Sequence, residues 1–179
     1  MNIKIKVIGM ITCSLLFVAF LLSCSSIPKQ TGKPVTNFQA EKYLGNWYEI
    51  ARFDFNWEKN LENVTTTYSM NENGTIKVVN SGYDYISQKE KQSVGKAKFV
   101  DSKNVGALKV SFFGPFYSDY TVIAIDSDYQ YALVAGENAN LLWILSRTPT
   151  IPDDVKDKYI QIAKDSGYDL TNLVWTTQN

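Results

Sequence analysis

The stretch Gly45-Asn46-Trp47-Tyr48-Glu49-Ile50-Ala51-Arg52-Phe53 sets an aromatic and aliphatic run behind a glycine. It reads as a first strand over residues 47–53. Seven more runs follow, over residues 64–70, 76–81, 94–100, 107–113, 120–125, 131–135 and 141–146, so eight strands are predicted. Asn71-Glu72-Asn73-Gly74 between the second and third runs is a hairpin signal, and Asp126-Ser127-Asp128 is a second turn. Links this short imply a meander. Thr150-Ile151-Pro152-Asp153-Asp154 supplies a capping candidate, a first-turn proline and two acids for a helix start, with Gly167 as its stop. Val155, Tyr159, Ile162 and Ala163 share one face of that helix, which should pack outside a sheet. Leu173-Val174-Trp175-Thr176 reads as one more short strand. Eight antiparallel strands and one helix make a sandwich or a barrel, and periodicity does not choose between them.

The composition narrows the chemistry. The 179 residues suit one domain; 18 basic and 18 acidic side chains balance, and there is no histidine. Neutrality leaves no basic stripe for phosphates, so nucleic acid is not an expected partner. Without imidazole, Ser-His-Asp and Cys-His activation and His-ligated zinc are excluded. Asp126 and Asp128 lack the Gly and Glu of a calcium loop, and no glycine-rich phosphate loop is present, so neither metal nor cofactor is expected. Asn63 and Asn73 match glycosylation acceptors without other support.

At the amino end, Lys4 and Lys6 precede an uncharged run over residues 7–22, too short for the roughly 20 residues of a spanning helix. Leu21-Leu22-Ser23-Cys24 resembles the lipobox of bacterial lipoproteins. The resemblance implies that residues 1–23 are a signal peptide and that Cys24 becomes the acylated first residue. Removing residues 1–23 takes Lys4, Lys6 and Cys13, leaving a chain with a net charge of −2 and no partner thiol for Cys24. Residues 24–36, polar and carrying Pro28, Gly32 and Pro34, read as a tether. Ser25 after the cysteine implies, in a double-membraned host, the outer membrane, with the domain facing the periplasm.

Residues 37–179 carry a second resemblance. Gly45-Asn46-Trp47 matches the Gly-x-Trp of lipocalins, Asp126 stands where that family has its second-motif Asp, and Arg147 where it has an Arg packed over the Trp. Leu108-Lys109-Val110-Ser111-Phe112-Phe113-Gly114-Pro115-Phe116-Tyr117 and Leu142-Trp143-Ile144-Leu145-Ser146-Arg147-Thr148-Pro149 are similar to the bacterial lipocalin lipoproteins in particular. The fold implied is all-β: an eight-stranded antiparallel up-and-down barrel with one C-terminal helix outside and a short final strand. Two departures stand out. Ile125-Asp126-Ser127-Asp128-Tyr129 replaces the usual Thr-Asp-Tyr, so receptor recognition by that loop is not implied, and the disulfides of animal lipocalins are missing.

Strand residues alternate sides, so setting Trp47 and Arg147 inward sets the parity of their strands. Trp47 brings in Glu49, Ala51 and Phe53; Arg147 brings in Leu145, Trp143 and Leu141. Putting apolar or small residues inside elsewhere adds Val64, Thr66 and Tyr68; Ile76, Val78 and Asn80; Ala97 and Phe99; Leu108, Val110 and Phe112; Val122 and Ala124; and Ala132 and Val134. The candidate ligand-binding set is therefore Glu49, Ala51, Phe53, Thr66, Tyr68, Val78, Asn80, Phe99, Val110, Phe112, Val122, Val134 and Trp143. A lining so apolar suits an acyl chain. Residues 55–61 and 114–117 fall near the open mouth, where Trp57 and Phe116 either form a lid or membrane contact or pack under their own loops, the second being the simpler reading.

Of the carboxylates, Glu49, Glu58, Glu62, Asp126 and Asp128 are nearest any cleft, but linear sequence does not show a convergent pair. The expected function is a membrane-anchored protein that holds or carries a fatty acid, a lysophospholipid or a similar apolar ligand for envelope maintenance. Two alternatives stay open: a structural envelope lipoprotein whose barrel is filled by its own rings, and an enzyme on the same scaffold with Glu49 or Tyr68 as proton donor.

Overall fold

The computed structural model describes residues 32–179, so the predicted signal peptide, Cys24 and most of the tether lie outside the described residues. Eight antiparallel strands form the wall: β1 (Gly45–Phe53), β2 (Leu61–Met70), β3 (Ile76–Asp84), β4 (Lys89–Phe99), β5 (Ala107–Phe113), β6 (Phe116–Ile125), β7 (Tyr131–Ala135) and β8 (Leu142–Ser146). Each pairs with its neighbour in sequence, β8 pairs with β1, and β1 pairs with β2, so the sheet closes into a barrel. Closure removes the edges that a sandwich would leave. The hairpin over residues 71–75 forms as expected: Gly74, at φ 77°, donates to the Asn71 carbonyl, and Asn73 Oδ1 takes the Thr75 amide. Asp126 organises the other turn, its carboxylate accepting the amides of Asp128, Gln130 and Tyr131.

One end of the barrel is plugged. The short helix α1 (Ala40–Tyr43), absent from the sequence reading, lies across it with Phe38 and Tyr43 pointing inward. The Arg147 guanidinium sits 3.8 Å from the Trp47 ring centroid and donates to the carbonyls of Lys42, Leu44 and Asn46. Gly45, at φ 94°, keeps the backbone clear of that guanidinium; an added Cβ would lie 3.4 Å from its Nη1. Trp47, fully buried, donates its indole N–H to the Tyr43 carbonyl.

Two bulges correct the parity expected from alternation. Between Glu49 and Ala51 the register against β8 shifts, so Glu49 pairs with Leu145 inside while Ala51 pairs with Ile144 outside and Arg52 with Trp143 inside. Ala51 and Phe53 consequently pack under the C-terminal helix and not in the barrel. A second shift, between Val122 and Ala124, turns Ala124 outward and Ile125 inward. Two further register shifts, between Glu62 and Thr65 and between Val110 and Phe113, leave Val64, Val110 and Phe112 on the inner face as expected. Alternation is a property of a regular strand, and one extra residue reverses every side chain beyond it.

Helix α2 (Asp153–Asp165) lays Tyr159 and Ala163, with Val155 and Ile162 beside them, on the outside of the wall as expected. Pro152 takes the cap position itself, with no side-chain cap, and the Thr150 carbonyl instead accepts from Ser146 and Thr148. The short strand β9 (Leu173–Trp175) then pairs with the last residues of β1. The chain end goes on to close a gap. β1 and β2 are hydrogen-bonded only as far as Tyr48 and Thr65; beyond that point Thr176 donates to the Ile50 carbonyl, Asn63 to the Thr177 carbonyl, and Gln178 Nε2 to the carbonyls of both Glu49 and Val64. The C-terminal tail thus completes the wall in its mouth half.

Candidate functional site

The barrel encloses a cavity of about 730 Å³ that opens at the end opposite Trp47. Its wall includes Val64, Val78, Val110, Phe112, Leu141 and Leu145, and its floor is tyrosine. Tyr120 Oη lies 2.6 Å from Tyr43 Oη and 2.7 Å from Tyr68 Oη, a chain of three buried phenols that satisfy one another. Burial raises all three above the ordinary phenol value, Tyr68 to about 12, so they stay neutral. Below this floor the barrel is solid.

Of the predicted ligand-binding residues, Glu49, Thr66, Tyr68, Val78, Asn80, Val110, Phe112 and Trp143 line the cavity. Phe99, Val122 and Val134 point inward but pack into the plugged end, where Val122 and Val134 are completely buried. Ala51 and Phe53 lie outside, for the reason given above. At the mouth, Trp57 and Phe116 are not tucked under their loops: they are 73% and 78% exposed, and the Trp57 ring meets Phe113 at 5.2 Å.

Alternation places Glu49 and Arg52 on opposite faces, yet the bulge brings them together. Arg52 Nη1 donates to Glu49 Oε1 at 2.7 Å, Thr176 Oγ1 donates to the same oxygen at 2.6 Å, and Arg52 Nη2 donates to the Glu58 carbonyl at 2.8 Å. Both charged side chains are almost wholly buried. Glu58, on the loop after β1, accepts the Trp143 indole N–H at 3.0 Å and lines the cavity. One guanidinium therefore faces three carboxyls, those of Glu49, Glu58 and Asp54. Burial, then the charge of Glu49, pushes the Glu58 carboxyl up to about 8, against the Trp143 N–H and Arg52, which pull it down. Glu58 therefore holds its proton at neutral pH. Arg52 was missed in the sequence because it stands at the wrong parity; a Glu and an Arg together in an otherwise apolar strand were the available signal.

This arrangement sets a pH dependence. A carboxyl raised from about 4.5 to about 8 on folding binds a proton in the native state that the unfolded chain has lost. Its contribution is fully present below about pH 4.5 and is lost as pH rises through about 8. Glu58→Gln, which keeps the shape without the charge, should flatten urea-unfolding stability between pH 5 and 9; a slope equal to that of the wild type would contradict this protonation.

A closed eight-stranded barrel with one plugged end and an apolar cavity at the other defines a ligand-binding barrel. The comparisons agree. Residues 38–178 match the lipocalin-like domain family, and the chain belongs to the lipocalins. It is 49% identical over 162 residues to outer membrane lipoprotein Blc of Escherichia coli strain K12, covering 89% of this chain and 92% of that one. The protein of the same name in Vibrio cholerae is 42% identical over 174 residues, covering 97% and 99%. Among solved structures, the cockroach major allergen Per a 4 superposes with a TM-score of 0.66 at 26% identity, covering 86% of this chain and 97% of the allergen. Lipocalins are binding and transport proteins.

Proposed function

We propose that this lipocalin is a membrane-anchored carrier or store for a single-chain lipid, a fatty acid or lysophospholipid, in the service of envelope maintenance. The observation that carries this reading is the cavity: deep, apolar below its rim, and of a volume typical of small-ligand sites. Burying about ten methylenes at roughly 0.8 kcal/mol each contributes on the order of 8 kcal/mol before association costs, which supports micromolar binding. A wholly self-filled barrel is the weaker reading, because only the plugged half is packed solid.

Organic extraction and native mass spectrometry of the purified full chain should find acyl lipid at defined stoichiometry. Val110→Trp, which places an indole in the cavity, should weaken lipid binding at least tenfold while leaving the far-ultraviolet circular dichroism unchanged; undiminished binding would place the ligand elsewhere.

The anchor belongs to the same proposal. Cys24 carries the acyl chains after residues 1–23 are removed, residues 24–36 form the tether, and residues 37–179 stand on the periplasmic face of the outer membrane. The names of the bacterial relatives support this location. Radiolabelled palmitate should enter the wild-type chain and not Cys24→Ala, and the variant should leave the membrane fraction; membrane retention without label would require another anchor.

A further inference from the structure

The mouth half of the cavity holds one more acid than its neighbours neutralise. Glu49 is matched by Arg52 Nη1 and Thr176, but of Glu58 Arg52 reaches only the main-chain carbonyl, through Nη2, which it also turns toward Asp54. The Glu58 side chain is 92% buried, being 8% exposed, and receives a single donor, the Trp143 indole. The Phe55 ring stands edge-on to Trp143 at 5.8 Å, and Phe55 and Trp57 line the same part of the wall. A second observation also points to a polar guest. Ser111, 5% exposed and part of the cavity wall, has a buried Oγ with no partner, as does the Oδ1 of Asn80.

The geometry points to an ammonium subsite: Glu58, between Trp143, Phe55 and Glu49, receives the primary ammonium end of a single-chain lipid whose hydrocarbon runs down to the tyrosine floor. This rests on the reading of the cavity as a lipid site and names the headgroup chemistry it prefers. An ammonium donates to the carboxylate and gains from nearby aromatic faces, whereas a carboxylate head in the same place would meet Glu49 and Glu58. Binding replaces the proton on Glu58: the carboxylic acid releases it to solvent, and the ammonium takes its place beside the carboxylate. The other titratable or charged groups around Glu58 are Glu49 and Arg52 on β1, Asp54 on the following loop and Tyr68 on β2, with Lys91 and Asp119 also on the cavity wall; from β8 it meets only Trp143, which does not titrate. The ammonium can belong to a free long-chain amine or to the ethanolamine head of a lysophospholipid.

The test uses the full chain in lipid nanodiscs and displacement of a cavity-bound fluorophore by hexadecylamine, palmitate, palmitoyl lysophosphatidylethanolamine and palmitoyl lysophosphatidylglycerol. Comparing wild type with Glu58→Gln cancels partition of each amphiphile into the disc. The amine-bearing ligands should bind the variant at least tenfold more weakly, with palmitate and the glycerol lipid unchanged or tighter. Loss confined to hexadecylamine identifies a free amine; loss with both identifies the lipid headgroup. Wild-type affinity for the amines should rise up to tenfold per pH unit from pH 6 to 8, and this profile decides the matter should the variant fail to fold. Palmitate binding together with a flat amine pH profile, or with equal effects of Glu58→Gln on all four ligands, overturns the ammonium subsite and leaves the lipid cavity intact. No binding of any of the four overturns both.

Discussion

Trp47→Ala is expected to destabilise the barrel by about 3–5 kcal/mol, a large share of the roughly 5–15 kcal/mol that holds a domain of this size. Trp47 has no exposed surface, so its removal leaves a cavity that the surrounding wall has little freedom to fill. The loss extends beyond the void. The Arg147 guanidinium loses the ring 3.8 Å below it, an interaction of about 0.5–2 kcal/mol, and the Tyr43 carbonyl loses the indole donor that fixes α1 across the plugged end. Urea unfolding of Trp47→Ala, Arg147→Ala and the double variant forms a cycle that separates the ring contact from the void. A loss for Trp47→Ala below about 1 kcal/mol would mean that the plug is not a structural closure.

The second large effect is at Arg52. Arg52→Met should cost about 3–5 kcal/mol at pH 7, because it leaves the Glu49 carboxyl buried in the wall without its guanidinium, with Thr176 as its remaining close donor, beside a second carboxyl. The same arithmetic predicts rescue: Arg52→Met combined with Glu49→Gln removes both charges and should recover most of the loss, since replacing a buried pair costs far less than halving it. Urea unfolding of the single and double variants checks this, and equal instability of the two would show that Arg52 acts through its packing and not its charge. The site also holds the wall together. Thr176 bonds Glu49 directly, so loss of Arg52 should loosen the tail that fills the gap between β1 and β2.

The strand count, the hairpins over 71–75 and 126–131, the outer helix and the final strand were all legible in the sequence, because turn chemistry and apolar periodicity are local. The Trp47 and Arg147 pair was legible through the family resemblance. Parity carried most of the interior correctly, with Glu49, Thr66, Tyr68, Val78 and Trp143 all on the cavity wall. It failed at Ala51, Phe53 and Ala124, each just beyond a bulge. A bulge adds one residue to one strand against its partner, and nothing in the residues of β1 alone announces it.

By itself the sequence determined an antiparallel meander of eight strands with one outer helix, since these follow from which residues alternate and where turns fall; the closed barrel and its inward face came through the family resemblance. The sequence also excluded imidazole chemistry, for want of histidine. How much of the barrel is filled was decided only by tertiary structure: Phe99, Val122 and Val134 face inward like the cavity residues, but α1 and the tyrosine floor separate them from the space above. The meeting of Glu49, Arg52, Glu58, Trp143 and Thr176 was decided there too. They come from β1, the loop after it, β8 and the chain end, as far as 127 positions apart. Their charge state depends on burial and on one another, and both exist only once the barrel has closed.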